Sequence, residues 1–370
     1  TFIHTHTRLL IEPSFILDAN MAIDIPGIAI TIKVGAVLPS LDKGVISYKH
    51  LARWCAAQQN WDQVHYNQDY ARKVAGLKDV YVNGAIKAQA LVQFLSDSFA
   101  RLGWVWRMDT DFRGVDYAQE HLVIHGTIAK VTHAPPYVAV HVDYRITNLD
   151  QAADTTTGQA IVLLDPAGAQ LVEIDDSHLP DEWRVNTQIG RASENVPANI
   201  RAMVGASLDD IESVVAVDLS RLRLMADAVT KVSPWPYDAQ KAALNAFGAV
   251  VAMPLFPLHG LEAWPDSKPF DPDHQALGRE GVTDVGRLDP KRLGLLPGGI
   301  FNGGNFVEIH SLARIGETIA ARSVLAGAEL TSTHPASPAI CIDTLNHYRT
   351  TRGRKLITER QTLVYALASS

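Results

Sequence analysis

The chain has 370 residues, of which 47% are hydrophobic, 20% charged and 7% aromatic, with a formal net charge of −7 at pH 7. That balance excludes a disordered chain, and at roughly 150 residues per domain the length favours two globular domains. No run approaches the roughly 18 apolar residues of a membrane helix, and no Lys/Arg cluster forms the basic face that a nucleic acid backbone requires, so neither partner is expected.

Residues 1–45 read as extended and loop-like, with Ile28-Ala29-Ile30-Thr31-Ile32-Lys33-Val34 as the clearest β-branched run, ended by Leu38-Pro39. Ser47 precedes a stretch, 48–57, in which Leu51, Trp54 and Cys55 are the apolar positions, and this predicts an N-capped amphipathic helix that delivers the chain to Asn60. Over 84–102, Ile86, Ala90, Leu91, Phe94, Leu95 and Phe99 recur mostly at three- and four-residue steps, the period of a long buried helix. Short apolar stretches follow at His121-Leu122-Val123-Ile124-His125, Tyr137-Val138-Ala139-Val140-His141-Val142 and Ala160-Ile161-Val162-Leu163-Leu164. Pro135-Pro136 and Asn148-Leu149-Asp150 punctuate them as turns between antiparallel strands. The acidic, proline-bearing stretch 164–185 reads as a linker.

From Asn186 the order repeats: a helical part over 222–229, a turn at Pro234-Trp235-Pro236, and a second apolar segment, Gly248-Ala249-Val250-Val251-Ala252-Met253-Pro254. Strands are expected at 305–310, 339–342 and 355–365. The domains are therefore placed at 1–175 and 186–370.

Two short stretches carry the chemistry. Asn60-Trp61-Asp62-Gln63-Val64-His65 lies in the loop after the first helix, and Val82-Asn83-Gly84-Ala85 opens the long one. His65 has an unperturbed pKa of about 6.5, suited to proton transfer at neutral pH. Its bland alternative is a loop histidine bonded to backbone. Other candidates carry less. His4-Thr5-His6 has no third metal ligand at a sensible spacing and reads as a disordered or strand-edge segment. Gly298-Gly299 and Gly303-Gly304 bracket Asn302 without a following Lys-Ser/Thr, so a turn is expected rather than a phosphate loop. No Gly-x-Ser-x-Gly elbow and no dinucleotide fingerprint occurs. Cys55 and Cys341 are too far apart in sequence for a disulfide framework or a metal knuckle. Thr1-Phe2-Ile3-His4 lacks the basic start and apolar run of a signal peptide. A reducing cytoplasm is the expected compartment.

The loop and helix start resemble those of the MaoC-like enoyl-thioester hydratases, whose frame reads Asp, four residues, His, and later His-Gly at the head of a central helix. The entry Val34-Gly35-Ala36-Val37-Leu38-Pro39 and the ending Val142-Asp143-Tyr144-Arg145-Ile146-Thr147-Asn148 extend the likeness over roughly 34–165. Residues 186–366 resemble the N-terminal MaoC-type dehydratase domain through Ile189-Gly190-Arg191, Ala252-Met253-Pro254, Phe301-Asn302-Gly303-Gly304, Ile315-Gly316-Glu317 and Thr358-Glu359-Arg360-Gln361-Thr362.

The resemblance implies an α+β fold of two hotdog domains in one chain, each a curved antiparallel sheet wrapped around a long central helix. It implies an enoyl-CoA hydratase or 3-hydroxyacyl-CoA dehydratase with no metal or redox cofactor, acting on an acyl-CoA or acyl-carrier thioester. A homodimer or a hydratase partner chain is the implied assembly. His65 stands at the family's histidine and Gly84, as oxyanion donor, at its glycine, while Asn60 stands where the family has aspartate. Asp62 is either a substitute acid or a loop carboxylate that caps the following helix. Asn83 either orients the thioester or caps the long helix. In the second half Lys231 and Pro236 occupy the acid and histidine positions, which implies a non-catalytic second half whose groove is open to a bulky acyl chain. Arg53, Arg72, Lys73 and Lys78 either meet the phosphates of coenzyme A or are solvated charges. The rival readings are a non-catalytic acyl-thioester-binding protein and a thioesterase with Asp62 as base.

Overall fold

The computed structural model describes residues 22–229, 246–262, 285–288, 297–331 and 338–367. In the first half β1 (Leu41–Val45) leads to α1 (Tyr48–Gln58), α2 (Gln68–Lys73) and α3 (Gly84–Ser98). Four long strands follow: β2 (Trp104–Phe112), β3 (His121–Ala134), β4 (Tyr137–Asn148) and β5 (Ala153–Leu164). Asn83 caps α3 by accepting the Ala85 N–H at 2.7 Å. The three- and four-residue spacing then sends Leu91, Phe94 and Leu95 into the core at 0 to 1% exposure. Gly126 in β3 is required by this packing, because a Cβ there would stand 2.8 Å from the Phe94 ring. The strands are ordered β1-β3-β4-β5-β2 around the helix.

The second half contains α4 (Ala198–Arg201), β6 (Ser207–Glu212), α5 (Leu219–Val229), α6 (Phe256–His259), β7 (Pro297–Ile309), β8 (Ile319–Thr331), β9 (Ala339–Thr350) and β10 (Lys355–Leu367). Its strand order, β6-β8-β9-β10-β7, repeats the connectivity of the first. The halves meet where β2 pairs antiparallel with β7, from Arg107↔Glu308 to Asp111↔Gly304, so that one ten-stranded sheet runs through the molecule. On the inner side α1 packs on α5. This is the α+β double hotdog expected from sequence.

Several local expectations are corrected. The run 28–34 is not a strand: left-handed Gly27 and Gly35, with φ of +85° and +81°, bracket it with turns, leaving only the bridge Ile23↔Ile32. The glycines around Asn302 lie in strand β7 instead of a turn. They are small because the strand is squeezed between neighbours: a Cβ on Gly303 would stand 3.0 Å from Val364 Cγ2, and one on Gly304 2.8 Å from the Thr110 carbonyl. The linker is no loose spacer, since Trp183 is 7% exposed and stacks edge-on to His141 of β4 at 4.8 Å. The second apolar segment, 248–254, is irregular chain in which the Ala252 N–H bonds the Ala313 carbonyl at 2.8 Å, with Pro254 just before the short α6 that follows and Pro257 in its first turn. Lys231 and Pro236, the turn at Pro234-Trp235-Pro236 and His4-Thr5-His6 lie outside the described residues. No described helix is long and apolar enough to cross a membrane.

Candidate active site between the two halves

Five residues singled out from sequence, Asn60, Asp62, His65, Asn83 and Gly84, line one cavity of about 150 Å³. Local backbone geometry brings them there. Helix α1 ends at Gln59 in the left-handed region, φ 55°, and the Asn60 N–H closes on the Cys55 carbonyl at 2.9 Å. That turn folds the loop inward, so Asn60 is 7% and His65 6% exposed. The Asn60 amide oxygen accepts the Asp62 N–H at 3.1 Å, locking the loop.

His65 is held at both ring nitrogens. Nδ1 lies 3.0 Å from the Tyr81 carbonyl oxygen, which can only accept, so Nδ1 carries the proton. Nε2 then accepts from the Asn83 amide nitrogen at 3.1 Å. The Asn83 orientation is fixed because its oxygen is taken by the Ala85 N–H. Asn83 therefore both caps α3 and holds His65, and the lone pair a general base would use is engaged until another donor takes Asn83's place. The Gly84 N–H stands at the positive end of a 15-residue helix. Among the described residues it has no hydrogen-bond acceptor. A Cβ at Gly84 would crowd the Phe112 ring at 3.5 Å and the Asn302 amide nitrogen at 3.7 Å.

Asp62 does not cap the following helix, where Asn67 does so through the Tyr70 N–H. Its carboxylate instead lies 3.7 Å from the Arg287 guanidinium, which reaches over from the second half.

The second half supplies much of the wall: Asn302 and Asn305 on β7, Glu359 and Gln361 on β10, Arg287 and His259. Its face is mixed, with these polar groups set among Leu255, Leu258, Phe301 and Leu363. None of these residues is given a site role by the sequence, although Asn302, Glu359 and Gln361 fall in stretches that carry the resemblance. The available signal is period-two alternation along β10, which sets Glu359 and Gln361 on the same face as Ile357, Leu363 and Tyr365. Glu359 is 3% exposed, and its carboxyl accepts from Asn346 at 3.0 Å, from Asn305, and from the Tyr348 hydroxyl at 3.4 Å. Burial pushes its pKa up.

Three of the four cations considered for coenzyme A are in ion pairs at the surface: Arg72 with Asp79, Lys73 with Asp69, and Lys78 with Glu120. Burial pushes the Cys55 thiol up to about 12, which makes it inert. Away from the cavity, Asp176, Glu308 and His310 bring ligand-type atoms within 4.8 Å of one another. Arg184 lies 3.4 Å from the Asp176 carboxylate and the Val185 N–H donates to Glu308, so the cluster is already charge-compensated by protein groups.

No protein-family model matches the chain, and no curated protein sequence matches it. Solved structures do. A MaoC-like dehydratase superposes with a TM-score of 0.56 at 14% identity, covering 90% of this chain and 98% of that one. A MaoC domain protein dehydratase from Chloroflexus aurantiacus J-10-fl superposes with a TM-score of 0.60 at 10% identity, covering 91% of this chain and 96% of that one. The chain thus shares the double-hotdog fold of MaoC-like dehydratases over its length.

Proposed function

We propose that the chain is an enoyl-thioester hydratase or dehydratase, a lyase that adds water across, or removes it to form, the α,β double bond of an acyl thioester. The observation that carries this reading is the convergence of His65, Asn60 and the Gly84 N–H on one cavity. Hydration needs a water positioned at the β-carbon and a donor for the charge that develops on the thioester oxygen. The Gly84 N–H, backed by the dipole of α3, is that donor. His65 becomes the base when the attacking water displaces the Asn83 amide from Nε2, and Asn60 holds that water without exchanging a proton. A cavity of about 150 Å³ with mixed polar and apolar walls suits a short acyl group.

The Asp62–Arg287 contact disfavours the thioesterase reading, because the carboxylate that would have to activate a water is engaged by a guanidinium 3.7 Å away. The test offers short and long enoyl-CoA thioesters to the full chain while the conjugated double bond and free CoA are followed. Loss of the double bond that falls on the order of 10²–10⁴-fold in His65→Ala supports hydration. Release of CoA that depends on Asp62 would install the thioesterase instead. Acyl-CoA binding without turnover would make the chain a non-catalytic thioester-binding protein.

A further inference from the structure

We propose that Glu359, brought by β10 from the second half, is the acid of this site, delivering a proton to the α-carbon in the place of the carboxyl that Asn60 lacks. The proposal rests on the hydratase reading above.

Four observations carry it. Glu359 lines the same cavity as Asn60, His65 and Gly84. It is nearly completely buried, and every hydrogen bond to its carboxyl comes from a neutral side chain: Asn346, Asn305 and Tyr348. No cation pairs with it among the described residues. A carboxylate in that setting costs several kcal/mol of desolvation, so an acid here calls for a chemical use. Next, the network is directed toward the helix head. Asn302 donates to Asn305 at 2.8 Å, Asn305 donates to Glu359, and the Asn302 amide nitrogen lies 3.7 Å from where a Gly84 Cβ would stand. On the far side Ser323 donates to Asn346 at 2.7 Å, and Asn346 passes its own N–H to Glu359. Finally, of the first-half residues lining the cavity, Asn60 has no proton to exchange and the one carboxyl, Asp62, faces Arg287. Burial pushes the Glu359 pKa up and so favours the protonated carboxyl.

The step balances as follows. The water oxygen bonds to the β-carbon while His65 Nε2 takes one of its protons, and the π electrons of the double bond move onto the α-carbon and thioester oxygen, where the Gly84 N–H receives the charge. The Glu359 O–H proton then passes to the α-carbon, forming the C–H bond and restoring the thioester carbonyl. Glu359 is left as carboxylate and His65 as imidazolium, and proton return through solvent resets both. Besides Glu359, the titratable groups facing the cavity are Tyr348 on β9, Asp62, His65 and Tyr81 in the first half, and His259 and Arg287 in the second.

The experiment measures a short enoyl-CoA with the full chain carrying Glu359→Gln or Glu359→Asp. Glu359→Gln is expected to lower kcat on the order of 10²–10⁴-fold with KM and acyl-CoA affinity little changed. The falling limb of the kcat profile, where the wild-type chain loses activity as rising pH deprotonates Glu359, should be absent in this variant. Glu359→Asp, which keeps the acid but shortens its reach, should lose activity at least about tenfold and retain the limb. Wild-type kcat in either variant overturns the proposal and leaves the hydratase reading intact, and so does a matching fall in kcat with the pH limb preserved in Glu359→Gln. A wild-type chain that hydrates no enoyl thioester overturns both. If Glu359→Gln does not fold, the aspartate variant decides alone.

Discussion

Asp116 and Glu359 are both buried carboxyls, and their surroundings differ in a way that separates structure from chemistry. Asp116 is 0% exposed, is paired with Lys87, and accepts from Asn148 at 2.8 Å and Thr155 at 2.9 Å. Glu359 has neutral donors only and opens on the cavity. The Lys87–Asp116 pair is scaffolding with a defined purpose. Lys87 stands one turn into α3, and the Asp116 backbone carbonyl accepts the Val82 N–H at 2.7 Å, so the pair pins the loop 113–120 against the segment that carries Asn83. Lys87→Met should leave Asp116 buried without its cation and lower stability by about 3–5 kcal/mol in denaturant titration. Adding Asp116→Asn should recover a good part of that loss. A double variant as unstable as the sum of the two single changes would show that the pair is not coupled.

At the scale of elements, what was legible in sequence followed from how local the signal was. Helix α3 carries its own period and cap, so its existence and start were readable. Strand β8 was not: Ile319-Ala320-Ala321-Arg322-Ser323-Val324-Leu325-Ala326 has little β-branching, and it is a strand because β6 and β9 flank it with backbone partners. The site divided along the same line. Asn60, Asp62 and His65 fall within six residues and Asn83-Gly84 close after, whereas Asn302, Asn305 and Glu359 are united only by sheet register. The strap 165–185 is a further case, since its acidic, proline-bearing composition conceals two anchors. One is Trp183, which packs on His141 of β4, whose pKa is pushed down to about 4 by burial and then by Lys130 and Arg107. The folded state prefers the neutral ring, so the unfolded chain binds the extra proton between pH 6.5 and 4, and stability falls as pH drops through that window. The other is Asp176, held at about 2 by its hydrogen bond from His310 against an ordinary 3.8. Its contribution, of order 2 kcal/mol, is present above pH 3.8 and lost as pH falls toward 2. Urea midpoints across this range should therefore decline in two stages, with His141→Gln removing the first and Asp176→Asn the second. A profile unchanged by both substitutions would disconnect the anchors from stability.

For the whole molecule, the decisive feature is that the repeat does not divide the core. One apolar cluster contains Trp54 and Leu91 from the first half together with Met225, Phe256 and Ile309 from the second. The sheet crosses the seam through β2 and β7, where the Trp104 indole N–H also donates to the Ile309 carbonyl at 2.8 Å. Separating the halves would open an unpaired edge on each central strand and strip the cavity of one wall. Calorimetry should therefore show a single transition in spite of the two-unit architecture. Trp104→Phe, which deletes the cross-seam bond while keeping an aromatic ring, should lower that transition by the equivalent of about 1 kcal/mol without splitting it. A short acyl-CoA at about 100 times its Kd should raise the same single transition by the equivalent of about 2.7 kcal/mol, because a ligand bound between the halves draws on both. Two transitions, only one of which moves with ligand, would instead place the binding site within one half and make the shared wall incidental to it.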